Sequence, residues 1–164
     1  MEIERKFLVN DISELDLRNY EFKKITQDYL YADKCSAVRK RKIETKDGII
    51  YKYTIKTKKS NISVNEIEYE IDKKTYDELI LDSHRKTIIK TRYIIPYENN
   101  LKIELDIFEG EFEGLVFAEI EFESEEEAFN TKMPNWFGKE ISKTITNSKM
   151  SKMGYKEVLE ILGK

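Results

Sequence analysis

Charged side chains occupy alternate positions in several segments of this 164-residue chain, and each segment carries mostly one sign of charge. The acidic rows are Glu2 and Glu4; Glu66, Glu68 and Glu70; Glu104 and Asp106; and Glu119, Glu121 and Glu123. The basic rows are Arg39 and Arg41; Lys52, Lys56 and Lys58; and Lys90 and Arg92. Carboxylates supply the hard oxygen ligands that Mg²⁺ and Mn²⁺ prefer, and Arg and Lys suit phosphate oxygens. The pattern therefore indicates a metal-assisted reaction on a phosphorylated substrate.

Composition narrows the kinds of site that the chain can build. Its 29 basic and 32 acidic residues leave a formal net charge of −3, so a global basic field for nucleic acid is absent. Cys35 is the only cysteine and His84 the only histidine, which excludes an intrachain disulfide and a histidine-rich metal centre. No glycine fits a phosphate-binding loop. Side chains must therefore hold both the metal and the phosphates.

The elements that position these charges are predicted to be β-strands, because apolar and polar residues alternate with period two. The segments are residues 2–9, 29–33, 37–43, 49–58, 66–71, 88–95, 101–108 and 115–123. Three helices are predicted: one after an N-cap at Asp72, one opened by Ser124 with Glu127 as a capping box, and one over residues 156–162. Eight strands with a few helices are typical of an antiparallel barrel.

The polar strand faces have two interpretations. They could be the solvated side of a half-exposed sheet. However, same-face neighbours on a strand lie roughly 6.6 Å apart, and like charges at that distance repel by about 0.6 kcal/mol in water and about 2.5 kcal/mol at an effective dielectric of 20. Rows of like charge therefore lower the stability of the protein alone, and they indicate a bound ligand of opposite charge. We predict one α+β domain over residues 1–164, a closed eight-stranded antiparallel β-barrel with peripheral helices and a charged lumen.

Several short motifs, in order along the chain, resemble those of the CYTH or triphosphate tunnel metalloenzyme family. The N-terminal Glu2-Ile3-Glu4-Arg5-Lys6 is similar to the family's E-x-E-x-K signature. The later matches are Arg39-Lys40-Arg41, Tyr53-Thr54-Ile55-Lys56, the acidic strand from Glu66 to Ile71, Lys90-Thr91-Arg92, Glu104-Leu105-Asp106, Phe108-Glu109-Gly110, Ala118-Glu119-Ile120-Glu121 and Gly138-Lys139-Glu140-Ile141-Ser142. The last motif ends in Ser142, where the family usually has threonine. The ordered series spans nearly the whole chain.

The resemblance implies an eight-stranded tunnel and metal-dependent hydrolysis of a triphosphate, inorganic tripolyphosphate for the short bacterial type. Expected metal ligands for Mg²⁺ or Mn²⁺ are Glu2, Glu4, Asp106, Glu119 and Glu121. Expected substrate-binding residues are Lys6, Arg39, Arg41, Lys52, Lys56, Lys90, Arg92 and Lys139, of which Lys6, Arg39 and Arg41 are also expected to act in catalysis. The alternatives are an adenylate cyclase, a thiamine triphosphatase or a polyphosphate-binding module without activity.

The remaining expectations concern location and assembly. The N-terminus lacks an apolar signal segment, and no apolar run is long enough to cross a bilayer, so a cytoplasmic protein is expected. The partner is expected to be a small triphosphate, with neither nucleic acid nor membrane involved. A monomer or a homodimer is consistent with the sequence.

Overall fold

Eight antiparallel strands close into a barrel in the computed structural model, which describes residues 1–164. Around the barrel the strands are ordered β1-β5-β4-β3-β2-β6-β7-β8, and β8 pairs with β1 to close it. Their bounds are β1 Glu2–Leu8, β2 Glu21–Ala32, β3 Ser36–Thr45, β4 Gly48–Lys58, β5 Ser63–Ile71, β6 Ile88–Pro96, β7 Lys102–Glu109 and β8 Val116–Phe122. The predicted closed eight-stranded antiparallel barrel is confirmed.

Strand register brings the charged rows onto neighbouring positions of one face. Lys6 of β1 pairs with Glu119 of β8, and Glu119 also pairs with Glu104 of β7. Between the neighbouring strands β6 and β7, Arg92 pairs with Asp106. Because side chains alternate along a strand, these pairs place like-facing charges side by side inside the barrel.

Four short α-helices accompany the barrel, and their bounds are α1 Lys73–Glu78, α2 Glu125–Asn130, α3 Asn147–Met150 and α4 Tyr155–Leu162. The predicted caps are confirmed: the side chain of Asp72 accepts from the Thr75 N–H, and that of Ser124 accepts from the Glu127 N–H. The helix α3 was absent from the sequence prediction. It is one turn long and is capped by Thr146. No helix is long and apolar enough to cross a bilayer.

Two apolar clusters hold the barrel and its C-terminal segment together. The first joins Phe108 and Phe117 of the barrel to Met150, Val158 and Leu162 of the last two helices. The second cluster includes Ile3, Leu105 and Ile120, with Trp136 and Phe137 packed against it. The C-terminal segment is therefore fixed onto the barrel by buried apolar area.

Strand β2 is the main difference from the prediction, because it begins at Glu21 and the predicted strand began at residue 29. Its inward face carries Lys23, Ile25, Gln27 and Tyr29, a mixture of charged, apolar and polar groups. Its outer face is equally mixed. Without one uniform face the period-two signal is weak, and this part of the chain gave no clear prediction.

Candidate active site

A cavity of about 900 Å³ lies inside the barrel, and all eight strands contribute to its lining. The predicted residues that line the cavity are Glu2, Glu4, Lys6, Arg39, Arg41, Lys52, Lys56, Lys90, Arg92, Glu119 and Glu121. Glu66, Glu68 and Glu104 line it as well. Asp106 and Lys139 are the two predicted residues outside the lining.

Asp106 is fully buried beneath the cavity wall, and its carboxylate pairs with the side chains of Lys90 and Arg92. Its Oδ1 accepts from Arg92 Nε at 2.6 Å, and its Oδ2 accepts from Lys90 Nζ at 2.7 Å and from Arg92 Nη2 at 2.8 Å. Burial by itself would raise the pKa of Asp106, but Arg92 and Lys90 hold it below its usual value. In this structure Asp106 therefore anchors two basic side chains and does not join the other predicted metal ligands.

Lys139 is exposed on the outside of the barrel. Its backbone carbonyl accepts a hydrogen bond from the Leu8 N–H at 2.8 Å, which attaches the closing motif to the end of β1. Its side chain does not line the cavity. The structure therefore does not bring Lys139 together with the other predicted phosphate-binding residues.

Glu4 and Glu121 face each other across the β1–β8 pair and form no ion pair. Burial, and then the charge of Glu119, raises the pKa of Glu4 to about 8. Burial, followed by the charges of Glu2 and Glu104, also raises the pKa of Glu121. This side of the cavity carries more carboxylates than its cations neutralise, which is an environment that a bound cation would relieve.

Glu119 differs from these two carboxylates because it has basic neighbours. Its Oε1 lies 3.5 Å from Lys6 Nζ, and its Oε2 lies 3.9 Å from Arg92 Nη2. Burial would raise the pKa of Glu119, but Lys6, Arg92 and Lys90 hold it well below the usual value. Glu119 is therefore charged. It links the acidic side of the cavity, formed by Glu2, Glu4 and Glu121, to the basic side, formed by Lys6, Arg39, Arg41, Lys90 and Arg92.

The carboxylates of β1, β7 and β8 fit a hard divalent cation. Their donor atoms are all oxygen, which is the set that Mg²⁺ and Mn²⁺ take, and Glu4 and Glu121 have no competing cation. No group of three or more acidic, histidine or cysteine side chains is already gathered as a complete ligand set. A metal ion would therefore compete with the lysines and arginines that now pair with Glu2 and Glu119.

Arg39 and Arg41 of β3 form no ion pair with any carboxylate. Arg39 is only 6% exposed, and its Nε is buried without a hydrogen-bond partner. Arg41 donates from Nε to Gln27 Oε1 at 2.7 Å, a neutral acceptor. Burial, and then the charges of Arg39 and Arg92, lowers the pKa of Arg41 to about 10. Arg39 is buried and Arg41 is partly buried, and because neither is paired with a carboxylate, both suit an anion in the cavity.

The predicted lysines that line the cavity are each paired with a carboxylate. Lys56 Nζ lies 2.9 Å from Glu2 and 3.5 Å from Glu66, and Lys52 Nζ lies 3.0 Å from Glu68. Lys90, which is 1% exposed, contacts Asp106 and also donates to Asn147 Oδ1 at 3.1 Å. Burial is the largest cause that lowers the pKa of Lys90, to about 7.

The sequence prediction missed several polar residues at the cavity, among them Gln27, Tyr29 and Asn147. Gln27 and Tyr29 lie on β2 in the stretch with mixed faces, and Asn147 lies at the start of α3. Gln27 contacts Arg41, and Asn147 contacts Lys90, so both belong to the basic side. The period of two that links Lys23 to Tyr29 was the available signal for the two β2 residues.

Ser142 occupies the position where the family motif usually has threonine. Its hydroxyl group both accepts and donates a hydrogen bond. Its Oγ accepts from the Lys6 N–H at 2.9 Å and donates to Glu140 Oε2 at 2.8 Å. Glu140 in turn pairs with the guanidinium of Arg5. The closing motif therefore fixes the backbone at Lys6, next to the acidic row of β1.

Comparison with known proteins agrees with this geometry. The family model for the CYTH domain matches residues 1–153. An inorganic triphosphatase of Acetivibrio thermocellus is 35% identical over 162 residues, which cover 97% of this chain and 98% of that protein. An inorganic triphosphatase of Nitrosomonas europaea is 31% identical over 141 residues, 86% of this chain and 89% of that protein. The chain belongs to the CYTH domain family.

The fold is also shared with solved structures. A crystal structure of the inorganic triphosphatase NE1496 superposes with a TM-score of 0.64 at 30% identity. The match covers 93% of this chain and 95% of that one. The barrel is therefore the fold of a solved inorganic triphosphatase.

Proposed function

We propose that this chain hydrolyses inorganic tripolyphosphate inside the barrel with the help of a bound Mg²⁺ or Mn²⁺ ion. The observation that carries the proposal is the pair of arginines on β3, buried Arg39 and partly buried Arg41, which form no ion pair and face a cavity with excess carboxylates on its other side. A tripolyphosphate with its metal ion supplies both missing charges at once. The names of the two relatives, both inorganic triphosphatases, support the same substrate.

The basic side of the cavity has the parts needed to hold the phosphates. Arg39 and Arg41 can each bind phosphate oxygens through a planar fork of N–H groups. Lys6, Lys56 and Lys90 add point charges along the lining. In a cavity surrounded by the eight strands, these donors stabilise the charge that develops as the phosphoanhydride bond breaks.

The acidic side would hold the metal through Glu2, Glu4, Glu119 and Glu121. When bound, the ion neutralises phosphate charge and makes a water molecule more acidic. Glu4 would release its proton on metal binding, because its raised pKa of about 8 depends on burial and on Glu119 in the absence of the ion. Asp106 keeps Lys90 and Arg92 in place beneath the substrate.

Phosphate release from tripolyphosphate tests this function directly. We expect turnover with Mg²⁺ or Mn²⁺, none with a chelator, and loss of activity in both Glu4→Gln and Arg41→Ala. Lys73→Ala, on the exposed face of α1, is the control for a charge removed far from the cavity. Turnover without a metal, or normal turnover in both cavity variants, would overturn the proposal.

A substrate panel separates the alternatives that the sequence left open. Tripolyphosphate, ATP and thiamine triphosphate are compared under the same metal conditions, with cyclic AMP and phosphate measured for the ATP reaction. We expect the highest kcat/KM for tripolyphosphate, because all eight strands place charged side chains in the cavity lining. Cyclic AMP as the main product would assign a cyclase instead.

A further inference from the structure

Gln27 is a fully buried amide at the basic side of the cavity, on the inward face of β2. It is 0% exposed, and its register partner across the β2–β3 pair is Arg41. Its Oε1 accepts from Arg41 Nε at 2.7 Å, and its Nε2 donates to the hydroxyl oxygen of Tyr29 at 2.6 Å. A buried amide without partners is unfavourable, and here both ends of the amide are used.

The chemistry of Arg41 fixes the orientation of this amide. A guanidinium has only N–H donors, so it must face the amide oxygen and never the amide nitrogen. The Nε2 group is thereby directed at Tyr29. Gln27 thus holds the Arg41 guanidinium at its Nε edge and leaves both terminal nitrogens, Nη1 and Nη2, without a partner in the protein.

The neutrality of this contact distinguishes Arg41 from Arg92, which also lines the cavity. Arg92 is held by the carboxylates of Asp106 and Glu104, which neutralise it as they orient it. Gln27 orients Arg41 without adding a negative charge. The full charge of Arg41 therefore remains available to an anion in the cavity.

We infer that Gln27 is a positioning residue that sets the affinity of the cavity for its polyanionic substrate, by fixing Arg41 without neutralising it. This inference rests on the proposed function for the identity of the substrate. Glutamate at this position has nearly the same shape and would pair with Arg41. Methionine has a similar volume and would leave Nε without an acceptor.

The test compares Gln27→Glu and Gln27→Met with the wild type. Three quantities are measured: KM and kcat for tripolyphosphate with Mg²⁺, the dissociation constant of tripolyphosphate without metal, and the melting temperature. Thr26→Glu is the matched control, because it adds the same charge one residue away on the outer face of β2, opposite Lys42.

For Gln27→Glu we expect KM and the dissociation constant to rise by about ten-fold or more, kcat to stay within about three-fold, and the melting temperature to hold or increase. Gln27→Met should show a smaller rise in KM, and Thr26→Glu should behave like the wild type. A purely structural role for Gln27 predicts the opposite pattern, with a lower melting temperature and unchanged KM in the folded fraction.

Two results would overturn the inference: Gln27→Glu binding tripolyphosphate as tightly as the wild type, or Thr26→Glu weakening it equally. Failure of the proposed function gives a different result, namely a wild type that binds tripolyphosphate without releasing phosphate. In that case the dissociation constants still decide the role of Gln27. A wild type that does not bind tripolyphosphate overturns both.

Discussion

Arg92 and Arg41 lie inside the same barrel but in opposite electrostatic environments. Arg92 on β6 contacts Asp106 at 2.6 Å, Glu104 at 2.9 Å and Glu119 at 3.9 Å. Arg41 on β3 has no carboxylate partner and contacts neutral Gln27. Burial by itself would lower both pKa values; the carboxylates raise that of Arg92 well above its usual value, whereas the pKa of Arg41 falls to about 10.

The difference separates charges that stabilise the folded barrel from charges that are kept for a ligand. Lys90 and Arg92 of β6 already pair with Asp106 and Glu104 of β7, so this β6–β7 pair of strands is satisfied without substrate. Arg39 and Arg41 of β3 form no ion pair, so their N–H groups are left for an anion. Such a division is expected where a protein gives up stability to hold a site ready for its substrate.

Asp106→Ala should produce the largest effect on stability, because it removes the carboxylate that Lys90 and Arg92 share. Lys90 and Arg92 would remain buried without their shared carboxylate, and the free energy of unfolding should fall by about 3–5 kcal/mol. Denaturant unfolding measures this loss. Glu104→Gln, which removes a less buried partner of Arg92, should cost much less. Equal stability of Asp106→Ala and the wild type would contradict the assignment of Asp106 as an anchor.

Arg41→Met should separate activity from stability. Removal of a partly buried charge that has no ion pair should leave the melting temperature unchanged or higher, while kcat/KM for tripolyphosphate falls by about 100-fold or more. Arg92→Met is the matched variant on the satisfied side, and it should lose both activity and stability. If Arg41→Met were as unstable as Arg92→Met, the proposed difference between an arginine kept for substrate and an arginine that stabilises the fold would be wrong.

The sequence predicted the barrel well because its strongest signal, alternation with one sign of charge per strand, is a property of single strands. β1, β4 and β8 each show that pattern and lie close to their predicted bounds. The pattern was weak in β2, whose inward face holds Lys23, Ile25 and Gln27 together. The alternation is weak there for a physical reason. The inward face of β2 contacts the basic side of the cavity at some positions and packed side chains at others.

The partners of each charge could not be predicted, because they depend on register between strands that are distant in sequence. Asp106 and Glu104 stand two residues apart with the same sequence pattern, yet Asp106 is buried under Arg92 and Glu104 lines the cavity. Lys139 lies in a recognisable motif and is exposed. A motif locates a residue on the chain, and the packing around it decides whether it reaches the cavity.

Glu4 offers a pH test of the acidic side. In the metal-free protein its pKa is raised from 4.5 to about 8, so the folded state binds this proton more tightly than the unfolded state does. The stabilisation is complete below pH 4.5 and is lost as the pH rises towards 8. With a chelator present, the melting temperature of the wild type should therefore fall relative to that of Glu4→Gln over this range. A constant difference would show that Glu4 is already ionised.

Lys139→Ala should have the smallest effect, because this lysine belongs to neither side of the cavity. It has no buried counter-charge to leave behind, and its one structural contact, from its carbonyl oxygen to the Leu8 N–H, does not involve the side chain. We expect kcat/KM and the melting temperature to remain close to wild-type values, measured beside Lys56→Ala, which removes a cavity lysine. A ten-fold or greater loss in Lys139→Ala, on the scale expected for a charged contact to substrate, would mean that this side chain reaches the substrate during turnover.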